Sequence, residues 1–451
     1  MKKGTEFEGV VSRLIFPNKG VVDVDGQSVI VKNALPGQQV RAVVNKRRGG
    51  RCEARLLAVT KPAPEERPAQ RCPHADECGG CLYQGFPYEY QLAVKEQQVR
   101  DLLKPVLGED IPMDPICPSP VPSAYRNKME FSFGDAQKGG EMTLGMHKRG
   151  SFYDVVTVDG CRIVDEDFQQ ILRAVLDYMQ EREVPFYRKM AHQGILRHLL
   201  VRKAAFTGEI LVDLITTSAW QPPEDFAQTI LALPLSGTLA GILHTVNDSW
   251  ADTVQDEGTT VLYGRDFITE ELLGLRFEIT PFSFFQTNSR SAEKLYEIAR
   301  SYIGETRGKR IYDLYSGTGT IAQILAPVAE QVTGVEIVEE AVEAARRNAA
   351  ANHLDNCRFL AGDVLKVLDE LPEAPDLMVL DPPRDGIHPK AIGKLLAYQV
   401  PRIVYISCKP TSLARDLVFF KEAGYQVTRL QCVDMFPFTG GIETVCLLTR
   451  S

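Results

Sequence analysis

A glycine-containing turn in the last third of the chain reads Asp313-Leu314-Tyr315-Ser316-Gly317-Thr318-Gly319-Thr320. The apolar residues 311–314 that lead into it form a predicted strand, and the residues that follow begin a predicted helix. Glycines in such a turn let the backbone approach a ligand closely. The third glycine of the dinucleotide-binding fingerprint is absent, because Gln323 stands in its place. The turn therefore favours an adenosine ligand without a pyrophosphate.

Strands and helices alternate around this turn, from about residue 275 onward. Strands are predicted over residues 311–314, 331–336, 377–380 and 403–406, and a helix over 339–352. This alternation is typical of a doubly wound parallel sheet, an α/β fold whose ligands bind at the carboxyl ends of the strands. We therefore predict a Rossmann-like domain over residues 271–451.

Acidic residues follow the next two predicted strands of this domain. Glu336 ends the second strand, where a carboxylate can accept hydrogen bonds from both ribose hydroxyls, and Asp363 follows the third strand, near the expected adenine amine. A carboxylate at a strand end is about as often a helix cap, so neither residue is decisive alone. The turn and the two acids, in this order, resemble the class I S-adenosylmethionine methyltransferase domain.

The first 61 residues predict a small β-barrel of OB type. Short strands at 7–11, 20–24, 28–31 and 39–44 are separated by Asp-Gly and Pro-Gly turns. The segment holds 12 Lys and Arg against 5 Asp and Glu, so its net charge is +7, while the remaining residues carry -15. This asymmetry indicates contact with a polyanion, although a solvated basic surface is the alternative. The basic hairpin at 45–51 suits contacts with phosphates.

Residues 62–270 predict a middle domain of mixed α+β structure, with a helix from 88 to 103. No apolar run approaches the roughly 18 residues of a membrane span, and the first residues lack the apolar stretch of a signal peptide, so we expect a cytoplasmic protein without a membrane partner. In a reducing compartment, clustered cysteines indicate metal binding or catalysis. The cluster consists of Cys72, Cys78, Cys81 and Cys161, and its spacing leaves zinc and an iron–sulfur centre open.

Three further motifs are predicted at the carboxyl edge of the parallel sheet: Asp381-Pro382-Pro383-Arg384, Ser407-Cys408-Lys409-Pro410 and Gly441-Ile442-Glu443. With them the sequence resembles the bacterial RNA uracil-5-methyltransferase family over nearly the whole chain. The resemblance includes Phe285-Gln286-Thr287-Asn288, Tyr125-Arg126-Asn127-Lys128, Arg197-His198-Leu199 and a barrel similar to the TRAM domain. Family members commonly have His-Val-Glu where this chain has Gly-Ile-Glu.

The resemblance implies methylation of carbon 5 of a uridine in RNA. Carbon 5 is a poor nucleophile, so a thiolate must first add to carbon 6, and Cys408 would supply it. A thiol has an ordinary pKa of about 8.5, so we expect a pocket that favours the charged form, unless Cys408 is only a small buried hydrophobe. Glu443 would remove the proton from carbon 5, and Asp381 would face the uracil or the methionine end of the cofactor.

The resemblance also implies the ligands of the protein. S-adenosylmethionine would contact Gln286, Tyr315, Gly317, Thr320, Glu336, Asp363 and Asp381. Phe284 and Phe285 would stack on an extruded base, with a place in the core as the alternative. Cys72, Cys78, Cys81 and Cys161 would hold a 4Fe-4S cluster rather than zinc, as a structural element.

The expected substrate is structured RNA. The TRAM-like barrel and the cysteine cluster together resemble the members that act on 23S rRNA, and transfer RNA is the alternative. A non-catalytic iron–sulfur protein that binds RNA is a rival from a different class. We expect a monomer.

Overall fold

The computed structural model describes residues 1–67, 69, 71–251, 254–371 and 374–450. These residues form a closed five-stranded barrel, a seven-stranded sheet, a two-stranded hairpin and an eight-stranded sheet. Within these ranges, no helix is long and apolar enough to cross a membrane.

The barrel contains the basic segment predicted at the amino terminus. Its strands are β1 (Glu6–Ile15), β2 (Lys19–Val24), β3 (Gln27–Lys32), β4 (Gln39–Arg48) and β5 (Arg51–Lys61). Alternate residues such as Val22, Val29 and Val31 are completely buried inside it, as the period of two in the sequence predicts. A parallel pairing of β3 with β5 closes the barrel. The turn between β4 and β5 leaves the basic residues Lys46, Arg47, Arg48 and Arg51 exposed.

The two elements after the barrel are α1 (Tyr88–Leu107) and β6 (Met113–Cys117). They pack on the eight-stranded sheet near the carboxyl terminus, not on the seven-stranded sheet that follows them in sequence. Nζ of Lys95 in α1 lies 2.7 Å from Oδ1 of Asp434, and both side chains are buried.

The middle sheet follows, in the order β13-β12-β11-β10-β7-β8-β9. Phe168, Ile171, Leu172 and Val175, spaced as the core face of a helix requires, pack α2 against it. Its strands and helices are β7 (Lys128–Asp135), β8 (Met142–His147), β9 (Val155–Thr157), α2 (Glu166–Glu181), β10 (Leu196–Lys203), β11 (Glu209–Thr216), α3 (Glu224–Leu231), β12 (Thr238–Val246) and β13 (Thr259–Gly264).

A short hairpin, β14 (Ile268–Leu272) and β15 (Leu275–Ile279), leads into the eight-stranded sheet. The elements of that part are α4 (Ser289–Ile303), β16 (Arg310–Leu314), α5 (Thr320–Leu325), β17 (Gln331–Glu336), α6 (Glu339–Ala351), β18 (Cys357–Ala361), α7 (Val364–Glu370), β19 (Leu377–Leu380), α8 (Pro389–Ala397), β20 (Arg402–Ser407), α9 (Pro410–Glu422), β21 (Gln426–Val433) and β22 (Glu443–Thr449).

The eight-stranded sheet has the order β18-β17-β16-β19-β20-β22-β21-β6. The strands from β16 to β20 run parallel, and β22 is antiparallel to both of its neighbours. The predicted parallel strands and the helix at 339–352 are therefore confirmed. The predicted division at residues 62–270 does not anticipate β6, which pairs in parallel with β21. Pairing between segments so far apart in the chain leaves no local pattern in the sequence.

Candidate active site

The glycine turn joins β16 to α5 as predicted. Tyr315 has a φ of 67°, Gly317 of 53° and Gly319 of 72°, all in the left-handed region. The backbone N–H groups of Tyr315 and Ser316 donate to the carbonyl oxygen of Val335 on β17, at 2.9 and 3.0 Å. A Cβ at Gly319 would lie 2.5 Å from the ring of Phe359, so this position requires glycine. The result is a tight loop with its backbone close to the edge of the sheet.

The two predicted cofactor acids lie at neighbouring strand ends. The half-buried carboxylate of Glu336 accepts hydrogen bonds from the N–H groups of Gly317 and Val338, both at 3.0 Å. Asp363 is exposed and caps α7 by accepting from the N–H of Leu365 at 2.9 Å. Burial, and then the charge of Asp363, raises the pKa of Tyr315 to about 12. Glu336 thus fixes the glycine turn, and Asp363 caps α7.

The segment that carries Gln286 is held against the glycine turn from several sides. Nδ2 of Asn127 donates to the carbonyl oxygen of Gln286 at 2.9 Å, and Oγ1 of Thr318 donates to that of Phe284 at 3.3 Å. The Phe284 side chain is 67% exposed beside the turn, whereas Phe285 is buried against Phe277 with ring centres 6.0 Å apart. Phe285 therefore belongs to the core, and only its neighbour is exposed for stacking on a base.

Cys408, Glu443 and Asp381 come together at the carboxyl edge of the sheet. Ser407, the last residue of β20, pairs with Thr444 of the antiparallel strand β22. One position further toward the edge of the sheet, Cys408 therefore lies beside Glu443. Oγ1 of Thr444 donates to the carbonyl oxygen of Ser407 at 3.2 Å. Asp381 follows β19, the neighbour of β20. Three residues predicted from separate motifs thus share one site.

The charges of this site act on one another. Burial raises the pKa of Asp381 to about 7. Burial also raises the pKa of Glu443 well above its ordinary value, and Asp381 adds to that shift while Arg384 opposes it. Asp313, at the end of β16, is completely buried, and its pKa is raised by burial and by Asp381. Both carboxyls beside Cys408 therefore keep their protons to a higher pH than ordinary carboxyls do.

The expectation that the pocket favours a thiolate is wrong. The pKa of Cys408 is raised to about 11, first by burial, then by Glu443 and Asp381, while Arg384 opposes the shift. The sequence showed the acidic residues but not how close they lie to the sulfur. It also gave no role to Arg384 or to Tyr296, whose buried phenol lies near Asp381 and Glu443 and hydrogen-bonds Gln286.

The four clustered cysteines converge in the middle region. The N–H of Gly80 donates to Sγ of Cys78 at 3.3 Å, and Arg149 donates to the carbonyl oxygens of Cys78 and Cys81 at 3.2 and 2.9 Å. Burial, with the neighbouring thiols as a further cause, raises the pKa of Cys81 to about 12 and that of Cys161 to about 11. Among the described residues, no group of three or more His, Cys, Asp or Glu is placed to hold a metal ion. The four thiols are thus neighbours that influence one another's pKa values.

Comparisons with known proteins cover the whole chain. A model of the family described as tRNA (Uracil-5-)-methyltransferase matches residues 252–451. A Clostridium tetani protein named "Uncharacterized RNA methyltransferase" is 46% identical, over 100% of this chain and 99% of its own length. A Caldanaerobacter subterraneus subsp. tengcongensis protein with the corresponding name is 45% identical, over 100% of both chains.

A solved structure is similar over nearly the same length. It is the Pyrococcus abyssi tRNA (uracil-54, C5)-methyltransferase in complex with S-adenosyl-L-homocysteine, with a TM-score of 0.77 and 27% identity, covering 98% of this chain and 100% of that one. A barrel followed by a methyltransferase sheet is therefore shared across the full chain. Together with the glycine turn and the residues gathered at the sheet edge, these similarities establish that the chain belongs to the RNA uracil-5-methyltransferase family, whose enzymes use S-adenosylmethionine.

Proposed function

We propose that the protein methylates carbon 5 of a uridine in 23S rRNA through a covalent bond between Cys408 and carbon 6. The observation that carries the covalent chemistry of this proposal is the register of β20 and β22, which brings Cys408 beside Glu443 at the same sheet edge as the glycine turn. A nucleophile, a base and a methyl-donor site are thereby adjacent.

The reaction follows from the chemistry of uracil. The Cys408 thiolate adds to carbon 6, and the electron pair of the carbon 5–carbon 6 bond moves to form an enolate at the carbon 4 oxygen. Carbon 5 then takes the methyl group that S-adenosylmethionine supplies, and S-adenosylhomocysteine remains. Glu443 removes the proton from carbon 5, the double bond re-forms, and the sulfur leaves as a thiolate.

The raised pKa of Glu443 suits its part in this sequence of proton transfers. A carboxylate with a raised pKa is a stronger base than an ordinary one, so Glu443 can take the carbon 5 proton once it is ionised. Asp381, whose pKa of about 7 leaves it partly ionised near neutral pH, would accept the proton of Cys408 in its ionised form as the sulfur adds to carbon 6. Arg384 stabilises the negative charge because it lowers the pKa of both Cys408 and Glu443.

S-adenosylmethionine would bind along the glycine turn. Gly317 and Thr320 form that turn, and Gln286 and Tyr315 lie beside it. Glu336 would accept from the ribose hydroxyls with lone pairs that Gly317 and Val338 do not use, and Asp363 would accept from the adenine amine. Asp381 would lie at the methionine end.

The four cysteines would hold a 4Fe-4S cluster that joins the loop at 72–81 to Cys161. We give it no catalytic step. Iron and sulfide content of the anaerobically purified protein tests this assignment, with zinc content as the competing result. Cys161→Ser should lower both the iron content and the Tm, whereas Cys117→Ser, which changes a cysteine outside the cluster, should lower neither.

Transfer RNA is the second candidate substrate, because the Pyrococcus abyssi relative whose title names tRNA matches nearly the full chain. Mass spectrometry of 5-methyluridine in separately purified 23S rRNA and tRNA from a deletion strain distinguishes the two. Loss from 23S rRNA, restored by the wild-type gene but not by Cys408→Ala, is the expected result. Loss of 5-methyluridine from tRNA alone would show that tRNA is the substrate. Loss from neither RNA would contradict the proposal.

Tritium release tests the activity directly and separates it from the non-catalytic alternative. Replacement of the carbon 5 hydrogen must release tritium from RNA labelled at carbon 5 of uridine when S-adenosylmethionine is present. A protein that binds the RNA and releases no tritium would be the RNA-binding platform.

A further inference from the structure

Strand β10 carries two buried arginines, Arg197 and Arg202, that each hold a segment with an exposed aromatic residue. Nε of Arg202 donates to the carbonyl oxygen of Pro281 at 3.1 Å, and its Nη2 donates to that of Ser283, next to Phe284. Arg197 lies five residues away, or ~17 Å along an extended strand, at the end of β10 far from the glycine turn.

Arg197 holds the loop that carries Trp250. Its Nη1 donates to the carbonyl oxygens of Asn247 and Ser249 at 2.9 and 2.6 Å, and its Nη2 donates to that of Ala251 at 2.6 Å. The guanidinium is almost completely buried, yet the Trp250 side chain is 80% exposed. Burial of a charged group is unfavourable unless the group is hydrogen-bonded. The three carbonyl oxygens therefore stabilise the buried guanidinium, and the guanidinium in turn fixes the backbone that carries the exposed indole.

Other side chains extend this into an aromatic surface, which we define as Tyr153, Tyr187, Met190, His192 and Trp250. The rings of His192 and Trp250 stack at 5.0 Å with 27° between their planes, and the Tyr187 hydroxyl lies 3.2 Å from Nδ1 of His192. The Tyr153 hydroxyl lies 3.7 Å from Sδ of Met190, whose side chain is 78% exposed. The imidazole of His192 thus stacks on the indole, and 80% of the Trp250 side chain remains exposed.

A groove is lined by residues of the same loop that carries Tyr153. The groove has a volume of about 580 Å³ and is lined by barrel residues such as Asn33, by the cysteine loop, by Lys148 and Arg149, and by Gly440, three residues before Glu443. Residues 148–150 of this loop line the groove, and Tyr153 of the same loop belongs to the aromatic surface. The exposed Arg188 adds a further positive charge beside Met190.

We propose that an unpaired base of the RNA stacks on Trp250 while the target uridine occupies the active site. The inference rests on the proposed function, since it assigns a second contact to the same RNA. Aromatic rings with nearby cations are what single-stranded nucleic acid requires, because bases stack on the rings and phosphates pair with the cations. A protein partner is the alternative occupant, and the positive charges of Lys148, Arg149 and Arg188 near the rings favour RNA over it.

Intrinsic fluorescence tests this contact without catalysis. The chain has two tryptophans, Trp220 and Trp250, so Trp220→Phe leaves Trp250 as the reporter. The probe is a single-stranded decamer of uridine, compared with a ten-base-pair RNA duplex. We expect the decamer to quench the reporter strongly and the duplex to quench it weakly. In Trp250→Phe protein the quenching should disappear while the affinity stays within about twofold, because phenylalanine still stacks.

Affinity gives the second readout. Trp250→Ala should weaken binding of the decamer by about fivefold or more, the loss of one stacked base. The slope of log affinity against log salt should not change, since the indole contacts no phosphate. Tyr263→Ala, which removes another exposed aromatic from the edge strand of the same sheet, should leave the affinity unchanged.

Unchanged affinity in Trp250→Ala, or equal quenching by duplex and single strand, would overturn the inference and leave the surface to a protein partner. Neither measurement uses S-adenosylmethionine. Stacking without tritium release would therefore refute only the proposed function, and tritium release without stacking would refute only this contact.

Discussion

The backbone N–H of Gly317 donates to Oε2 of Glu336 at 3.0 Å, so the predicted ribose ligand also fixes the predicted cofactor turn. Glu336→Gln removes the charge and one of the two acceptors. We expect the Kd for S-adenosylhomocysteine to rise about 10–100-fold, as for the loss of a charged hydrogen-bond partner. Calorimetry measures it, with the exposed Glu339→Gln as control. Equal affinities in the two variants would remove Glu336 from the cofactor site.

Cys408→Ala should bind S-adenosylhomocysteine as the wild type does and lose turnover. The thiolate acts on the uracil and not on the sulfonium, so binding and reaction separate. Calorimetry and tritium release measure the two effects. The control is Cys117→Ala, a half-buried cysteine outside the site, which should keep full activity. More than about a hundredth of wild-type turnover in Cys408→Ala would show that this sulfur is not the nucleophile.

Glu443→Gln should stop the reaction after methyl transfer. Addition of Cys408 and transfer of the methyl group need no base at carbon 5, but elimination does. We expect a methylated protein–RNA adduct that survives denaturing electrophoresis, requires S-adenosylmethionine and is absent when Cys408→Ala is added. Release of free methylated RNA at the normal rate would assign the base to another group.

Asp381→Asn should stabilise the ligand-free protein at pH 8. The folded-state pKa of about 7 lies above the ordinary 3.8, so the folded protein binds more protons than the unfolded chain between these values. The wild type therefore loses stability as pH rises from about 4 to 7, and the variant does not. We expect the free energy of unfolding at pH 8 to increase by ~2 kcal/mol in the variant. This is about half of what the full pKa shift gives at 1.36 kcal/mol per unit, because the surroundings of the carboxylate relax.

Denaturant unfolding at pH 5 and pH 8 measures this difference, which should be larger at pH 8. Asp385→Asn, in the same loop but with a 98% exposed side chain, is the matched control and should change neither value. An equal effect of Asp381→Asn at both pH values would contradict the raised pKa.

Neutralising Lys46, Arg47, Arg48 and Arg51 should weaken RNA binding and flatten its salt dependence. Each lost phosphate contact lowers the slope by about 0.7–0.9. Substitution is a cleaner test than removal of residues 1–61, because Leu14 and Leu35 of that segment share a core with Tyr83 and Phe86. The control is Arg307→Gln with Lys390→Gln, exposed cations on the acidic part of the chain. An unchanged slope would make the basic hairpin a solvated surface.

The local parts of this fold could be predicted from the sequence. The strands β17 and β19 begin and end at the predicted residues, because continuous apolar runs bounded by turns specify buried parallel strands. The neighbouring positions of Cys408 and Asp381 followed from one rule, that parallel strands end at a common edge, whereas Glu443 reaches that edge as the first residue of the antiparallel strand β22. Those steps need only periodicity and strand direction.

Other features depend on contacts that no local pattern encodes. The pKa of Cys408 is set by burial and by carboxylates from two other strand ends, so only the assembled sheet shows that it rises. Arg197 was part of a quoted motif, but its carbonyl partners lie about 50 residues later in the loop that carries Trp250. The position of an arginine within a strand does not indicate which backbone carbonyl groups, distant in sequence, its guanidinium will contact.

The edge strand β6 has a consequence for synthesis on the ribosome. Its partner β21 comes roughly 300 residues later in the chain. At a synthesis rate of 5–20 residues per second, about 15–60 s therefore pass before β6 and the apolar face of α1 can pack on their sheet. The barrel and the seven-stranded sheet can form within that interval, while the methyltransferase fold closes only after the last strands leave the exit tunnel. Residues 88–117 of the nascent chain thus stay without their partner strands for longer than a strand whose partner follows directly, and a fragment that starts at residue 271 lacks the strand that completes its sheet.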